Sequence, residues 1–474
     1  MKNSERHDRE EIDNCDLKRQ ISLASATILV IANMIGTGVF TTSGLIMEML
    51  KNSQAMLFSW FVGGLIALSG ALSYGELGAM FPRAGGDYVF LRESFGKFMG
   101  FLSGWISLIV GFSAPIAAAS MAFASYLCRI FPGSPGEGLC PGVFEEHTGG
   151  LSSQSIIAVG VILLFSLVHG HSVSFGSRVQ NGLTTFKVAV ILLFVIYGFL
   201  FGQGTIDHFS PPPHLDVFFS GEFAISLILV SFAYSGWNAA AYLGGEIKDA
   251  ARNIPLALLL GTVVVIVLYV ALNGIFVYAL SAEEMVGVID VGAKSALALL
   301  GGNVGRVFSI AMAVCLLSVI SAMIMAGPRV YYAMARDGLF FKLFSALTVD
   351  RSTPSRSILL QAAIAAFMVI TSTFETLLIY IGFTLSLFAS LTVAGMILLR
   401  IRRPDMQASY KTFGYPIPPL VFILGNLWII VFSIKENPAI SVYGAITIVI
   451  GTLAYLFFNH AHGVKESSNN EWTG

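Results

Sequence analysis

An all-α integral membrane protein with twelve transmembrane helices is the fold that this sequence predicts, on three observations. Hydrophobic residues make up 55% of the 474-residue chain, charged residues only 12%, and the mean hydropathy is +0.77. An ordinary soluble domain carries about 25% charged residues. The apolar residues gather into stretches of roughly 20, the length that crosses a bilayer. The 27 Lys and Arg collect between alternate stretches, as the positive-inside rule expects.

In chain order the stretches lie near residues 21–47, 56–80, 99–128, 154–170, 180–202, 223–244, 255–280, 307–333, 357–372, 374–399, 416–435 and 440–460. With the N-terminus inside, the outer loops hold only Lys51, Arg129, Lys294, Arg306 and Lys435, and Lys187 falls within a span. Both termini are therefore expected in the cytoplasm, the chain being multi-pass in a cell membrane, plasma or bacterial inner. Residues 1–20 carry six acidic and five basic residues, and no small-residue cleavage site follows the first apolar stretch. They read as a cytosolic tail rather than a signal peptide. Residues 461–474 form the second cytosolic tail.

Spans 1 and 6 are interrupted in the same way, by Asn33-Met-Ile-Gly-Thr-Gly-Val-Phe40 and by Phe232-Ala-Tyr-Ser-Gly-Trp-Asn238. Inside a bilayer, a backbone group released from helical pairing costs several kcal/mol unless a partner replaces the bond. The broken spans stand five apart. Five being odd, spans 1–5 (residues 21–202) and 6–10 (223–399) cross in opposite senses, so likeness between them is an inverted repeat, with spans 11 and 12 (416–460) outside it.

The breaks suggest a chemistry. The inner half of span 1 ends near Asn33–Ile35 with exposed carbonyls, and its outer half starts near Thr37–Gly38 with free N–H groups. A carboxylate fits the N–H groups and an ammonium fits the carbonyls. Span 6 adds carbonyls near Phe232–Ser235 for the same ammonium. Together they read as a receptor for a zwitterionic α-amino acid, the site of a secondary transporter. Glycines 36 and 38 taken alone would equally serve close helix packing.

These residues resemble a known family. Ile35-Gly-Thr-Gly-Val-Phe40 is similar to the first-helix motif of the amino acid–polyamine–organocation transporters, and so is Phe232–Asn238 followed by Gly245-Glu-Ile-Lys-Asp-Ala-Ala-Arg-Asn-Ile-Pro255. Gly70–Leu77 with Pro82–Tyr88, Arg329–Gly338, and Thr353-Pro354 continue the pattern over about residues 20–460. The chain most resembles the L-type amino-acid transporters and their bacterial relatives. The resemblance implies a five-plus-five inverted repeat of the leucine-transporter type and alternating-access transport of amino acids. It implies that Met34, Ile35, Gly36, Thr37 and Gly38 hold the substrate backbone, while Phe232, Ala233 and Ser235 hold the ammonium and Phe232 closes over it.

Lys187 sits some seven residues into span 5. On composition alone it either snorkels to the surface or faces a cavity or partner within the membrane. By the resemblance, a lysine in span 5 replaces the ion of sodium-coupled members. Its ammonium would bond the broken end of helix 1, or carry a proton. Sodium-independent exchange or proton symport of L-amino acids, neutral ones in particular, is the resulting expectation. Transport of cationic amino acids or polyamines, and an amino-acid sensor on the same fold, are the alternatives. No carboxylate is near either break in the sequence, which disfavours cationic substrates.

Other residues carry less. Asn33, Asn238, Ser318 and Ser321 either touch substrate or brace the broken helices. Glu76, Glu246 and Asp249, near Arg83, Lys248, Arg252 and Arg336, form an inner-gate network or a solvated rim. Pro115 and Pro328 are expected kinks, and His169 and His171 structural residues. Cys128 and Cys140 flank one loop and could pair. The animal L-type relatives join an accessory single-span subunit through a cysteine in that loop, but the surroundings of Cys140 match poorly, and no accessory subunit is expected. A net charge of −1 argues against nucleic acid as a partner. The lipid bilayer and a small amino acid are the partners expected, with no cofactor and no metal. Metallohydrolase, serine-hydrolase and phosphate-loop motifs are absent from the sequence, which argues against an enzyme. A channel would show a symmetric filter or rings of charge instead of paired breaks.

Overall fold

In the computed structural model the described residues are 17–130, 152–288, 291–301, 304–348, 353–371, 374–406, 408–436 and 438–470. Among them the regular structure is helical, with two isolated β-bridges and no ladder. The first broken span forms α1 (Leu23–Met34) and α2 (Gly38–Leu50), which meet at 41°. Next come α3 (Ser53–Met80) and α4 (Asp87–Phe95). A third span follows, built from α5 (Lys97–Ile106), a π-helical turn (Ser107–Ser113) and α6 (Ala114–Ile130). Then α7 (Ser153–His171) and α8 (Val173–Phe201) complete the first half.

The second half begins with α9 (Gly221–Tyr234), the short α10 (Ala239–Tyr242), and α11 (Ala250–Ala279). Two short helices, α12 (Ala282–Met285) and α13 (Val291–Leu300), precede α14 (Val304–Ala326) and α15 (Pro328–Arg336). The remainder is α16 (Ser355–Thr371), α17 (Phe374–Arg402), α18 (Ile417–Glu436) and α19 (Pro438–Asn470).

Among the described residues, seven helices are long and apolar enough to cross a membrane, and the bent α1–α2 pair makes an eighth. The chain is a multi-pass membrane protein. The other four predicted stretches coincide with the shorter apolar helices Gly221–Tyr234, Ser355–Thr371, Ile417–Phe432 and Val442–Phe458. Span 6 is shorter than expected, because the break leaves α10 a single turn. Helix α19 continues to Asn470, past the expected end of span 12. Helix α13 was in no predicted span, its ten residues being too few to cross.

Local sequence explains the ends. Ser152, Ser172 and Ser220 each accept a hydrogen bond from the N–H three residues on, and Asn52 does the same for α3, satisfying donors that a helix start leaves orphaned. Pro328 opens α15 directly after α14, but Gly327 between them keeps helical dihedrals and the two run on as one span, so the expected kink does not interrupt it. At Pro115 the outcome is different in kind: the preceding turn widens to π geometry, which absorbs the missing N–H and the ring clash of a proline.

Burial along α8 is one-sided. Gly176, Gln180, Thr184, Lys187 and Ile191 are buried, at the three- and four-residue spacing of one helix face. Leu193, Leu200 and Phe201 are exposed, as lipid-facing side chains are in a multi-pass protein. The inward face of α8 packs on α1 and α14. That packing carries Lys187 to the first break.

Candidate functional site

Helix α1 ends because Ile35 leaves helical geometry at ψ 85° and Gly36 follows it, its N–H turned back to the Met34 carbonyl at 2.8 Å. Helix α2 then starts at Gly38, and the Thr37 side chain makes no capping bond. A helix start leaves its first N–H groups without intrahelical partners, so this end of α2 presents donors, as the sequence suggested.

The carbonyl end of α1 is held by Lys187. Its Nζ donates to the Ala32 carbonyl at 3.1 Å and to the Ile35 carbonyl at 2.6 Å, and the residue is fully buried. The snorkelling alternative is thereby excluded. A charge-assisted donor on two released carbonyls replaces bonds that the break removed.

The second break has its own substitutes. The Ser235 N–H donates to the Phe232 carbonyl at 3.0 Å, and Gly236 takes a positive φ of 93°, a conformation that glycine adopts without the usual steric cost. Asn33 of α1 donates from Nδ2 to the Gly236 carbonyl at 3.2 Å, tying the two breaks together. Tyr269 of α11 completes the tie. Its hydroxyl oxygen lies 2.7 Å from the Met34 carbonyl and 3.0 Å from that of Ala233. Trp60 and Tyr234 wall it in. Sequence reading missed Tyr269, because a tyrosine in an apolar helix carries no signal of which carbonyls it will meet.

A cavity of about 140 Å³ lies between the breaks. Met34, Gly36, Thr37, Gly38, Phe232, Ala233 and Ser235 all line it, with Asn33, Trp237 and Asn238 beside them. Ile35 does not. Its side chain is buried in the core and its carbonyl faces Lys187, so it belongs to the brace and not to the lining. Gly38 serves close packing as well: a Cβ there would stand 2.7 Å from Ala233 Cα. Apolar side chains, including Ile106, Phe112, Val319, Met323 and Phe388, form much of the remaining wall.

A carboxylate does stand beside the second break, contrary to expectation. Asp87, the first residue of α4, lines the cavity. It accepts from Tyr242 Oη at 2.5 Å, Asn238 Nδ2 at 3.2 Å and Thr392 Oγ1 at 3.4 Å. Among the described residues it has no ion-pair partner. Its distance in sequence from Asn238 hid it, since only the packing of α4 brings them together.

Beyond Asp87 the molecule is closed on the side of residues 17–21. The backbone of Gln20 and Ile21 pairs with Glu246 and Lys248. Glu246 makes a buried two-pronged ion pair with Arg329 at 2.7 and 3.0 Å. Glu76 accepts from Arg400 at 2.7 and 2.6 Å and from the Thr412 N–H and hydroxyl. Of the two alternatives, Glu246 and Glu76 take the braced one, with partners other than the sequence neighbours: Arg83 pairs with Glu93, and Asp249 stands at the start of α11 in a left-handed conformation with no side-chain capping bond. Ion pairs across the fold depend on tertiary packing, so sequence neighbours were poor guides.

The remaining polar candidates brace helices. Ser318 meets Thr184 at 3.0 Å, and Ser321 meets His169 at 2.8 Å. Asn33 and Asn238 both brace and line the cavity. Cys140 and the side chain of Cys128 lie outside the described residues. No cluster of metal-ligating side chains occurs among the described residues.

An amino acid permease family model matches residues 21–457. The chain is 29% identical over 449 residues to the human "Large neutral amino acids transporter small subunit 2", covering 93% of this chain and 80% of that protein. It is 26% identical over 462 residues to the mouse "b(0,+)-type amino acid transporter 1", covering 94% and 89%. To the human "Asc-type amino acid transporter 1" it is 27% identical over 439 residues, covering 92% and 81%. These relatives are transporters and not enzymes. The first is named as a small subunit, so the expectation of a chain working without an accessory subunit finds no support in it. The chain belongs to the amino acid permease family, within the amino acid–polyamine–organocation superfamily.

Proposed function

We propose that the chain carries neutral L-amino acids across a cell membrane, plasma or bacterial inner, by alternating access and without sodium, as an exchanger or a proton symporter. The observation that carries this reading is the Lys187 ammonium on the Ala32 and Ile35 carbonyls, a fixed cation braced against the first break where a mobile ion would otherwise be needed. Thr37 and Gly38 present N–H groups for the α-carboxylate, with Gly36 lining the cavity beside them. Met34, Phe232, Ala233 and Ser235 surround the α-ammonium, and Phe232 closes over it. The mainly apolar wall suits an uncharged side chain.

In this reading the chain crosses the membrane twelve times. Residues 21–202 and 223–399 form the inverted halves, 416–460 the last two spans, and 1–20 and 461–474 the cytoplasmic tails. The closed side of the cavity then faces the cytoplasm. Uptake of a panel of labelled amino acids into proteoliposomes, with and without sodium and a pH gradient, tests the whole reading. Saturable uptake and counterflow of neutral amino acids in sodium-free buffer are expected. Strict sodium dependence, or no uptake of any amino acid, overturns it.

A further inference from the structure

Asp87 has a role beyond the proposed substrate contacts. Helix α4, which it opens, packs on α5, α15 and α17, and its acceptor bond from Thr392 ties it to α17. Its other two donors, Asn238 and Tyr242, belong to the inner half of the second break, which packs on α1 and α11. The carboxylate therefore joins two packing groups across the floor of the cavity.

The seam beneath it is tight. The Gly85 N–H donates to the Tyr242 carbonyl at 3.1 Å, and Ala84 bridges Leu243. Gly86 takes φ 51°, and a Cβ there would stand 2.4 Å from the Tyr242 ring. The deeper ties, Glu246 with Arg329 and Glu76 with Arg400, join the segment after α10 to α15 and α3 to α17. Of these three carboxylates only Asp87 lines the cavity.

We infer that Asp87 is a positioning residue that holds the inner half of the second break across the cavity floor, and that its bonds to Tyr242 and Asn238 must part for the site to open toward residues 17–21. The inference rests on the transport reading for its consequence and on this geometry for its existence. Hydrogen bonds to an ionised acceptor are the stronger kind, so neutralising the acceptor or removing one donor should shift the balance between closed and open floors. A ligand that takes up the Asn238 amide competes with Asp87 directly, which gives occupancy of the cavity a route to the closure below it.

Asp87→Asn and Tyr242→Phe in the full chain test this, through amide hydrogen exchange and through leucine kinetics in oriented proteoliposomes. Both variants should raise exchange in residues 239–248 about tenfold while leaving 153–171 unchanged, as expected of a local opening. The half-saturation for leucine should rise on the side of the cavity mouth and fall on the other, changing their ratio about tenfold by a population shift. Unchanged exchange in 239–248, or an equal rise in every helix, overturns the inference. If the native protein takes up no amino acid, the transport reading fails, and the exchange measurement alone decides the clamp.

Discussion

The Lys187 ammonium sits 2.6 Å from the Ile35 carbonyl oxygen, joining α8 to the last residue before Gly36 in the first break. Released carbonyls in a membrane interior require donors, and a lysine so placed supplies one without a diffusible ion. The same geometry secures the carbonyl end of α1, and Thr37 and Gly38 at the start of α2 line the cavity.

Replacing this lysine tests the brace. Lys187→Ala should leave the protein inserted and monodisperse but lower transport at least tenfold, since two buried carbonyls lose their donor. Lys187→Arg should not restore it, because a planar guanidinium does not fit the place of a compact ammonium. Size-exclusion profiles and initial uptake rates measure the two effects. Native rates in the alanine variant would remove the lysine from the coupling scheme.

Tyr269 invites a smaller change. Its hydroxyl has one hydrogen for two carbonyls, those of Met34 and Ala233; that of Met34 also accepts from the Gly36 N–H, so Ala233 is the one that depends on the hydroxyl. Tyr269→Phe keeps the ring against Trp60 and removes the donor. A loss of about 1–3 kcal/mol for an unsatisfied buried acceptor predicts roughly a tenfold or larger change in the half-saturation of uptake. An unchanged value would show that the hydroxyl is dispensable.

Recognition through backbone predicts selectivity. An amino acid should compete for uptake, and its decarboxylated amine should not, because the amine lacks the group that the N–H donors of α2 would bind. Equal competition by both would remove these N–H groups from the site. Gly38→Val should abolish binding for a further reason: a Cβ there collides with Ala233 Cα, forcing the two breaks apart. Phe232→Ala, by contrast, removes a cavity wall and should weaken retention of substrate without harming folding.

The buried pair of Glu246 and Arg329 makes a stability prediction. Arg329→Met alone strands a carboxylate at 0% exposure, at a cost of about 3–5 kcal/mol. Thermal unfolding in detergent should show a clearly lowered midpoint. Adding Glu246→Gln should recover much of it, since no unpaired charge then remains. A single variant as stable as the native protein would contradict the pairing.

Membrane residence, the helical periods and the two breaks were legible in the sequence by itself, because they rest on local quantities. Twenty apolar residues cross a bilayer wherever they sit, small and polar residues clustered around Gly36 and Gly236 weaken the helix locally, and Ser172 caps a helix from three residues away. The site was half legible. Seven of the eight expected backbone contacts line the cavity, while Ile35 turned to Lys187, a distinction of rotation about one helix end. What only the tertiary structure decided were the partners: Tyr269 between the breaks, Asp87 beneath Asn238, Arg329 on Glu246 and Arg400 on Glu76. Each joins segments far apart in the chain, and whether a buried polar group finds its partner depends on distances of a few tenths of an ångström that packing sets and residue order does not.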